Sequence, residues 1–137
     1  MFSHSAVIVH GLADVRTALQ PGLPVTLLSA PGAASYAGVG WWMALIAAAR
    51  AEFPQTRFDD VLDCGTAAGR ALEALRAGQR QLHLAPTLSA WTRAAAIAAA
   101  CGATLHPTCP PALDLAQPDA ARKLRSWLER DNAAKLR

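Results

Sequence analysis

The chain has 137 residues, 53% of them hydrophobic and 17% charged. That size and composition suit one domain with a substantial core and exclude intrinsic disorder. The formal charge is +3, and residues 122–137 hold six basic residues against two acidic ones. This is a solvated helix face rather than a nucleic-acid surface.

The cysteine count is odd, with Cys64, Cys101 and Cys109 and no Cys-x-x-Cys pair. The opening MFSHSAVIVH has no basic segment and no cleavage site, so it does not read as a secretory signal. Reduced thiols in a cytoplasmic protein are therefore expected. The longest uncharged apolar run, Ala37 to Ala49, falls short of the roughly 18 residues a membrane span needs.

The β-branched run in Ser5 to His10 predicts a first strand, closed by His10-Gly11. Leu12, Val15 and Leu19 then recur at helical spacing until Pro21-Gly22 stops them. Val25 to Ser29 is a second strand, apolar enough to be buried on both faces. A loop carrying Gly32, Gly38 and Gly40 leads into a helix from about Val39 to Phe53, ended by Pro54. Asp60 to Cys64 is a weak, acidic third strand, and Thr66 to Ala77 a helix stopped by Gly78. Gln81 to Ala85 alternates as a fourth strand, Leu88 to Cys101 is helical, and Ala103 to His106 is a short fifth strand. The proline-rich PTCPPALDLAQP reads as a connector, and Pro118-Asp119 starts a last helix with Ala121, Leu124, Trp127 and Leu128 on its apolar stripe.

Five strands alternating with five helices predict an α/β fold, a three-layer αβα sandwich around a five-stranded parallel sheet in a single domain. Edge strands tolerate charge and brevity, which favours the order 3-2-1-4-5. The flavodoxin-like order 2-1-3-4-5 is the alternative, and it places the most hydrophobic strand at an edge. The resemblance to Rossmann-like and flavodoxin-like proteins is one of architecture, and such architectures host many functions.

In open parallel sheets, ligands collect at the carboxyl ends of the strands, near the point where strand order reverses. The polar groups expected there are His10, Ser29, Asp63, Cys64, Thr87, His106 and Thr108. His10 is the candidate general acid or base, because imidazole titrates near neutral pH. Gly11, Gly32, Ser35, Tyr36, Gly38, Gly40 and Thr87 are the candidate ligand-binding residues, with a small anionic metabolite as the expected ligand.

Gly38 and Gly40 match two positions of a dinucleotide fingerprint, but Met43 takes the third and the loop follows the wrong strand. No Lys-Ser/Thr follows the glycines, so this is not a P-loop, and no cofactor is assigned. Cys64 stands before a helix start, where a helix dipole favours thiolate. Cys101, His106 and Cys109 match no standard zinc spacing, so no metal site is expected, and His83 reads as a core histidine.

Trp41 and Trp42 point about 100° apart on their helix, and Met43, Leu45 and Ile46 fill more of its circumference. A homodimer, or larger symmetric assembly, through this helix is the expectation. Two functions follow: a small-molecule site at the strand ends, or a non-catalytic interaction or regulatory domain. Clustered carboxylates are scarce, which argues against a glycosidase or a magnesium-dependent phosphotransferase.

Overall fold

The computed structural model describes residue 2 and residues 4–135. The elements are β1 (Ala6–Val9), α1 (Leu12–Leu19), β2 (Val25–Ser29), α2 (Ala33–Tyr36), α3 (Val39–Glu52) and β3 (Phe58–Asp63). Then come α4 (Ala68–Ala77), β4 (Gln81–His83), α5 (Trp91–Ala100), β5 (Thr104–His106), β6 (Ala112–Asp114) and α6 (Ala120–Lys135). The fold is α/β with an all-parallel sheet flanked by helices, the class expected from the alternation of periods.

Six strands are present rather than five, in the order β5-β4-β3-β2-β1-β6. The runs 3-2-1 and 4-5 survive from the expected order, but β4 pairs with β3, Leu62 opposite Leu82, instead of lying beside β1. The free flank of β1 is taken by β6, a strand drawn from the segment expected to be a connector, with Ala6 opposite Ala112 and Val7 opposite Leu113.

Two physical reasons account for the change. The acidic start of β3 was expected to need an edge, yet its carboxylates are satisfied where they lie. Thr26 Oγ1 donates to Asp59 Oδ1 at 2.6 Å. Trp42 Nε1 and Gln79 Nε2 donate to Asp60 Oδ2 at 3.0 and 2.8 Å. Partnered carboxylates remove the desolvation penalty that keeps acidic strands at edges. The second reason is that β1 is itself buried, so its outer flank needs a partner, and Ala112–Asp114 supplies one despite its prolines.

The chain groups into two compact units. The first comprises Met1–Leu28, Leu45–Asp59 and Pro110–Arg137, and the second Ser29–Ala44 and Asp60–Cys109. In the first, the core holds Val7, Val9, Val15, Leu19, Val25, Leu27, Leu124 and Leu128, all nearly inaccessible. The last helix is tied to the first strand at two points: Ser5 Oγ donates to the Trp127 carbonyl at 3.1 Å, and Trp127 Nε1 to the Ala6 carbonyl at 2.8 Å.

In the second unit the core is Trp42, Val61, Leu62, Leu75, Leu82 and Leu84 with the alanines of α4 and α5. Alanine lets those helices lie close to their strands, and Gly78, at φ 98°, ends α4 as its sequence position suggested.

Helix α3 differs from its expected character. Trp42 is fully buried, whereas Trp41 is only half-buried, and Ala44, Ala47, Ala48 and Ala51 face solvent. Its outer arc is thus built of small side chains that expose little apolar area each. Among the described residues no helix is long and apolar enough to cross a membrane.

Candidate functional site

Histidine 10 follows β1 in the first unit, and the pairing of β1 with β6 brings Asp114 to the same end of the neighbouring strand. His10 Nε2 lies 2.6 Å from Asp114 Oδ1, with 37% and 29% of the two side chains exposed. The His10 backbone N–H donates to Asp14 Oδ2 at 2.9 Å, which fixes the chain at the entry to α1. The Ala116 N–H donates to the same Asp114 oxygen at 2.9 Å.

A carboxylate only accepts hydrogen bonds, so Nε2 carries the proton and Nδ1 keeps a lone pair for another molecule. Partial burial works against ionisation of Asp114. Hydrogen bonds from His10 and the Ala116 N–H, and the attraction of His10, outweigh it and hold the carboxyl below its usual range. An oriented imidazole backed by an ionised carboxylate can take up or release a proton. Strand β1 is also where the order reverses, with β2 on one side and β6 on the other, the position at which parallel sheets collect ligands.

The same unit contains a cleft of about 510 Å³ lined by Leu113, Lys123, Ser126, Trp127 and Arg130. Leu113 precedes Asp114 on β6, and successive strand residues point to opposite faces, so this cleft is not the one His10 serves. The guanidinium of Arg130 stacks on the Trp127 ring at 3.8 Å.

The second unit builds a different cluster. Asp63 is opposite His83, and His83 opposite His106, across β3, β4 and β5. Residues in register on parallel strands present their side chains to the same face, about 4.8 Å apart. Cys109 arrives from the segment after β5, and its thiol donates to Asp63 Oδ2 at 3.4 Å. Asp63, His83 and Cys109 place one donor atom each within 4.8 Å of one another.

Every member is held. The Asp63 N–H donates to Ser29 Oγ and the Gly65 N–H to Asp63 Oδ1, both at 2.8 Å. His83 Nδ1 is 3.1 Å from the His106 carbonyl, and His106 Nε2 is 3.0 Å from Gln81 Oε1. Burial, the charge of Asp63 and its hydrogen bond push the Cys109 thiol up to about 12. Cys64 is also pushed up to about 12, by burial and then by Asp63. The thiolate expected at Cys64 from its place before a helix is therefore overridden by desolvation.

The remaining candidate residues are placed as follows. Gly11 precedes α1 in the first unit, while Gly32, Ser35, Tyr36, Gly38, Gly40 and Thr87 belong to the second. Gly32 adopts φ 70° and Gly38 φ 101°, as a loop turning through glycines requires. The Gly32 turn lies against the Asp63–Gly65 turn: a Cβ on Gly65 would sit 3.5 Å from Gly32 Cα.

Four of the loop amides are bonded within the loop. The N–H groups of Ala33, Ser35, Ala37 and Gly38 donate to the carbonyls of Ala30, Gly32 and, twice, Ala33. Ser35, Gly40 and Thr87 are exposed, and Tyr36 is 69% exposed.

Sequence reasoning missed Asp114, because its strand was taken as connector, and it assigned His83 to the core. The signal for the latter was the period-two spacing of Gln81 and His83 beside strand ends at Asp63 and His106. Comparison with protein-family models and with curated protein sequences finds no match.

Proposed function

We propose that this chain binds a small polar metabolite at the carboxyl ends of β1 and β6 and exchanges a proton with it through His10. The observation that carries the proposal is the 2.6 Å contact between His10 Nε2 and Asp114 Oδ1, at the strand where the sheet order reverses. Asp114 orients the ring and balances its charge when protonated, and Nδ1 is the nitrogen that meets the ligand. The cysteines are all free, which accords with a cytoplasmic setting.

The anionic ligand expected from the sequence needs cations or open amides. Beside His10 the nearest charged groups are the carboxylates of Asp14 and Asp114. Neutral hydroxyl-bearing compounds therefore form a second arm of the test. Wild-type protein and the His10→Ala and Asp114→Asn variants would be screened by thermal shift against carboxylates, phosphates, polyols and neutral amides. Ligands that raise the wild-type melting temperature are expected to fail with His10→Ala, whose own melting temperature stays near wild type. Equal responses from both proteins would remove His10 from the site.

A second reading, a self-associating interaction domain, draws on the exposed alanine arc of α3 together with Tyr36. Sedimentation at micromolar concentration decides it: a dimer that Ala47→Glu converts to monomer supports self-association through α3, and a wild-type monomer ends it.

A further inference from the structure

The cluster of Asp63, His83 and Cys109 stands apart from the His10–Asp114 pair in composition, and the proton chemistry proposed above makes no use of it. We infer that these three side chains form a binding site for one divalent transition metal of the zinc class, with a fourth coordination position left for water or a ligand.

Four observations converge. The donor set is one thiol, one imidazole and one carboxylate, which suits a borderline-soft ion such as Zn²⁺ and not Mg²⁺ or Ca²⁺. Its charge also fits. Ionised aspartate and cysteine with neutral histidine carry two negative charges, which a divalent cation neutralises.

The thiol–carboxylate spacing needs little adjustment, and the imidazole lies within 4.8 Å of both. A thiolate at about 2.3 Å and a carboxylate oxygen at about 2.0 Å from one tetrahedral ion lie about 3.5 Å apart. Cys109 Sγ and Asp63 Oδ2 are 3.4 Å apart.

The supporting bonds point the same way. His83 Nδ1 donates to the His106 carbonyl, so the neutral ring presents the lone pair of Nε2, the arrangement ligating histidines adopt. Asp63 is fixed by the Gly65 N–H on Oδ1, which leaves Oδ2 turned to Cys109.

A thiol nucleophile is the competing use of a cysteine beside a histidine. It requires a thiolate favoured by nearby positive charge, whereas here the nearest charge is the Asp63 carboxylate. A bound cation reconciles the two anions that otherwise repel, and deprotonates a coordinating thiol outright. Three protein ligands with one open position is the pattern of zinc sites that act on a bound water or substrate, rather than of four-ligand structural sites.

The test uses the full chain, treated with chelator, dialysed and titrated with Co²⁺. One equivalent is expected to bind, with a thiolate-to-cobalt charge-transfer band in the near ultraviolet and the strong visible absorption of a tetrahedral ion. Cys109→Ser should lose the charge-transfer band, and the exposed-cysteine variant Cys101→Ser should keep it. His83→Gln should keep the band but bind at least about tenfold more weakly, since loss of a mere supporting contact costs 10–100-fold. Cys109→Ser and His83→Gln should both melt with wild type in chelator, which separates lost ligation from lost folding. Absence of the band in wild type, or an undiminished band in Cys109→Ser, overturns the inference.

Discussion

Both units of this chain place a histidine at the end of a parallel strand, and His10 and His83 are held in opposite ways. In the first unit, His10 is exposed and turns Nε2 to an ionised carboxylate. In the second, His83 is half-buried, gives Nδ1 to a backbone carbonyl, and stands beside a thiol and a buried carboxylate. A carboxylate partner at Nε2 orients the His10 ring and leaves Nδ1 for a ligand, so it suits proton exchange; a carbonyl partner at Nδ1 fixes the tautomer of His83, so it suits donation of a lone pair. The same residue at the same kind of strand end is thus given two chemistries by its neighbours alone.

The units also hold consecutive acids of β3 differently, and that difference predicts the largest effect. Asp60→Ala strips the acceptor from Trp42 Nε1 and one of two from Gln79 Nε2, which also donates to the Gln81 carbonyl at 3.0 Å; the two residues are 0% and 6% exposed. A buried donor left unpaired costs about 1–3 kcal/mol, so a loss of roughly 3 kcal/mol is expected by urea unfolding. Thr26→Val removes the Thr26 hydroxyl that donates to Asp59 in the other unit and should cost only about 1 kcal/mol. Equal losses would mean that the indole and amide contacts do not hold the acidic strand in place.

A smaller effect separates two glycines. Gly65, at φ 57° in the second unit, and Gly22, at φ 74° in the first, both occupy the left-handed region. Alanine there costs about 1–2 kcal/mol at either position. A Cβ on Gly65 would make ordinary van der Waals contact with Gly32, 3.5 Å away, and lie 3.9 Å from Asp63 Oδ1, while at Gly22 it meets open space. The Gly65 N–H also holds Asp63 Oδ1 at 2.8 Å, so backbone strain there is expected to weaken Co²⁺ binding as well as stability in Gly65→Ala, and Gly22→Ala to lower stability alone.

The alternation of strand and helix was legible in the sequence because burial on one stripe or both faces leaves a period that composition cannot hide. The second strand, Val25–Ser29, and the first helix, Leu12–Leu19, lie where the pattern put them. Strand order was not legible, because it turned on side-chain partners far along the chain. Nothing local to Asp59-Asp60 announces Thr26, Trp42 or Gln79. Strand β6 was hidden for a related reason: three residues between prolines and a turn become a strand only because β1 offers a flank to pair with. Of the candidate sites, His10 was visible from its place after a central strand. The triad of Asp63, His83 and Cys109 was not, because register across β3, β4 and β5, rather than spacing along the chain, brings it together.

A further expected effect is a pH dependence of opposite sign in the two units, measured in chelator so that no metal contributes. The folded-state pKa of Asp114 is lowered, so its contribution to stability is present above the unfolded value and is lost as pH falls through the folded one. Asp114→Asn should flatten the acid limb of a stability–pH curve and leave the alkaline limb unchanged. The Cys109 thiol is raised from 9.0 to about 12. Its contribution is present below the unfolded value and is lost as pH rises from about 9 toward 12, because the folded state there binds the extra proton. Cys109→Ser should make the alkaline limb shallower without abolishing it, since the buried Cys64 thiol is raised in the same way, and should leave the acid limb unchanged. Denaturant midpoints across pH 3 to 11 test both variants together, since an effect of either substitution on the wrong limb would show that the carboxylate of the first unit and the thiol of the second do not titrate as their neighbours dictate.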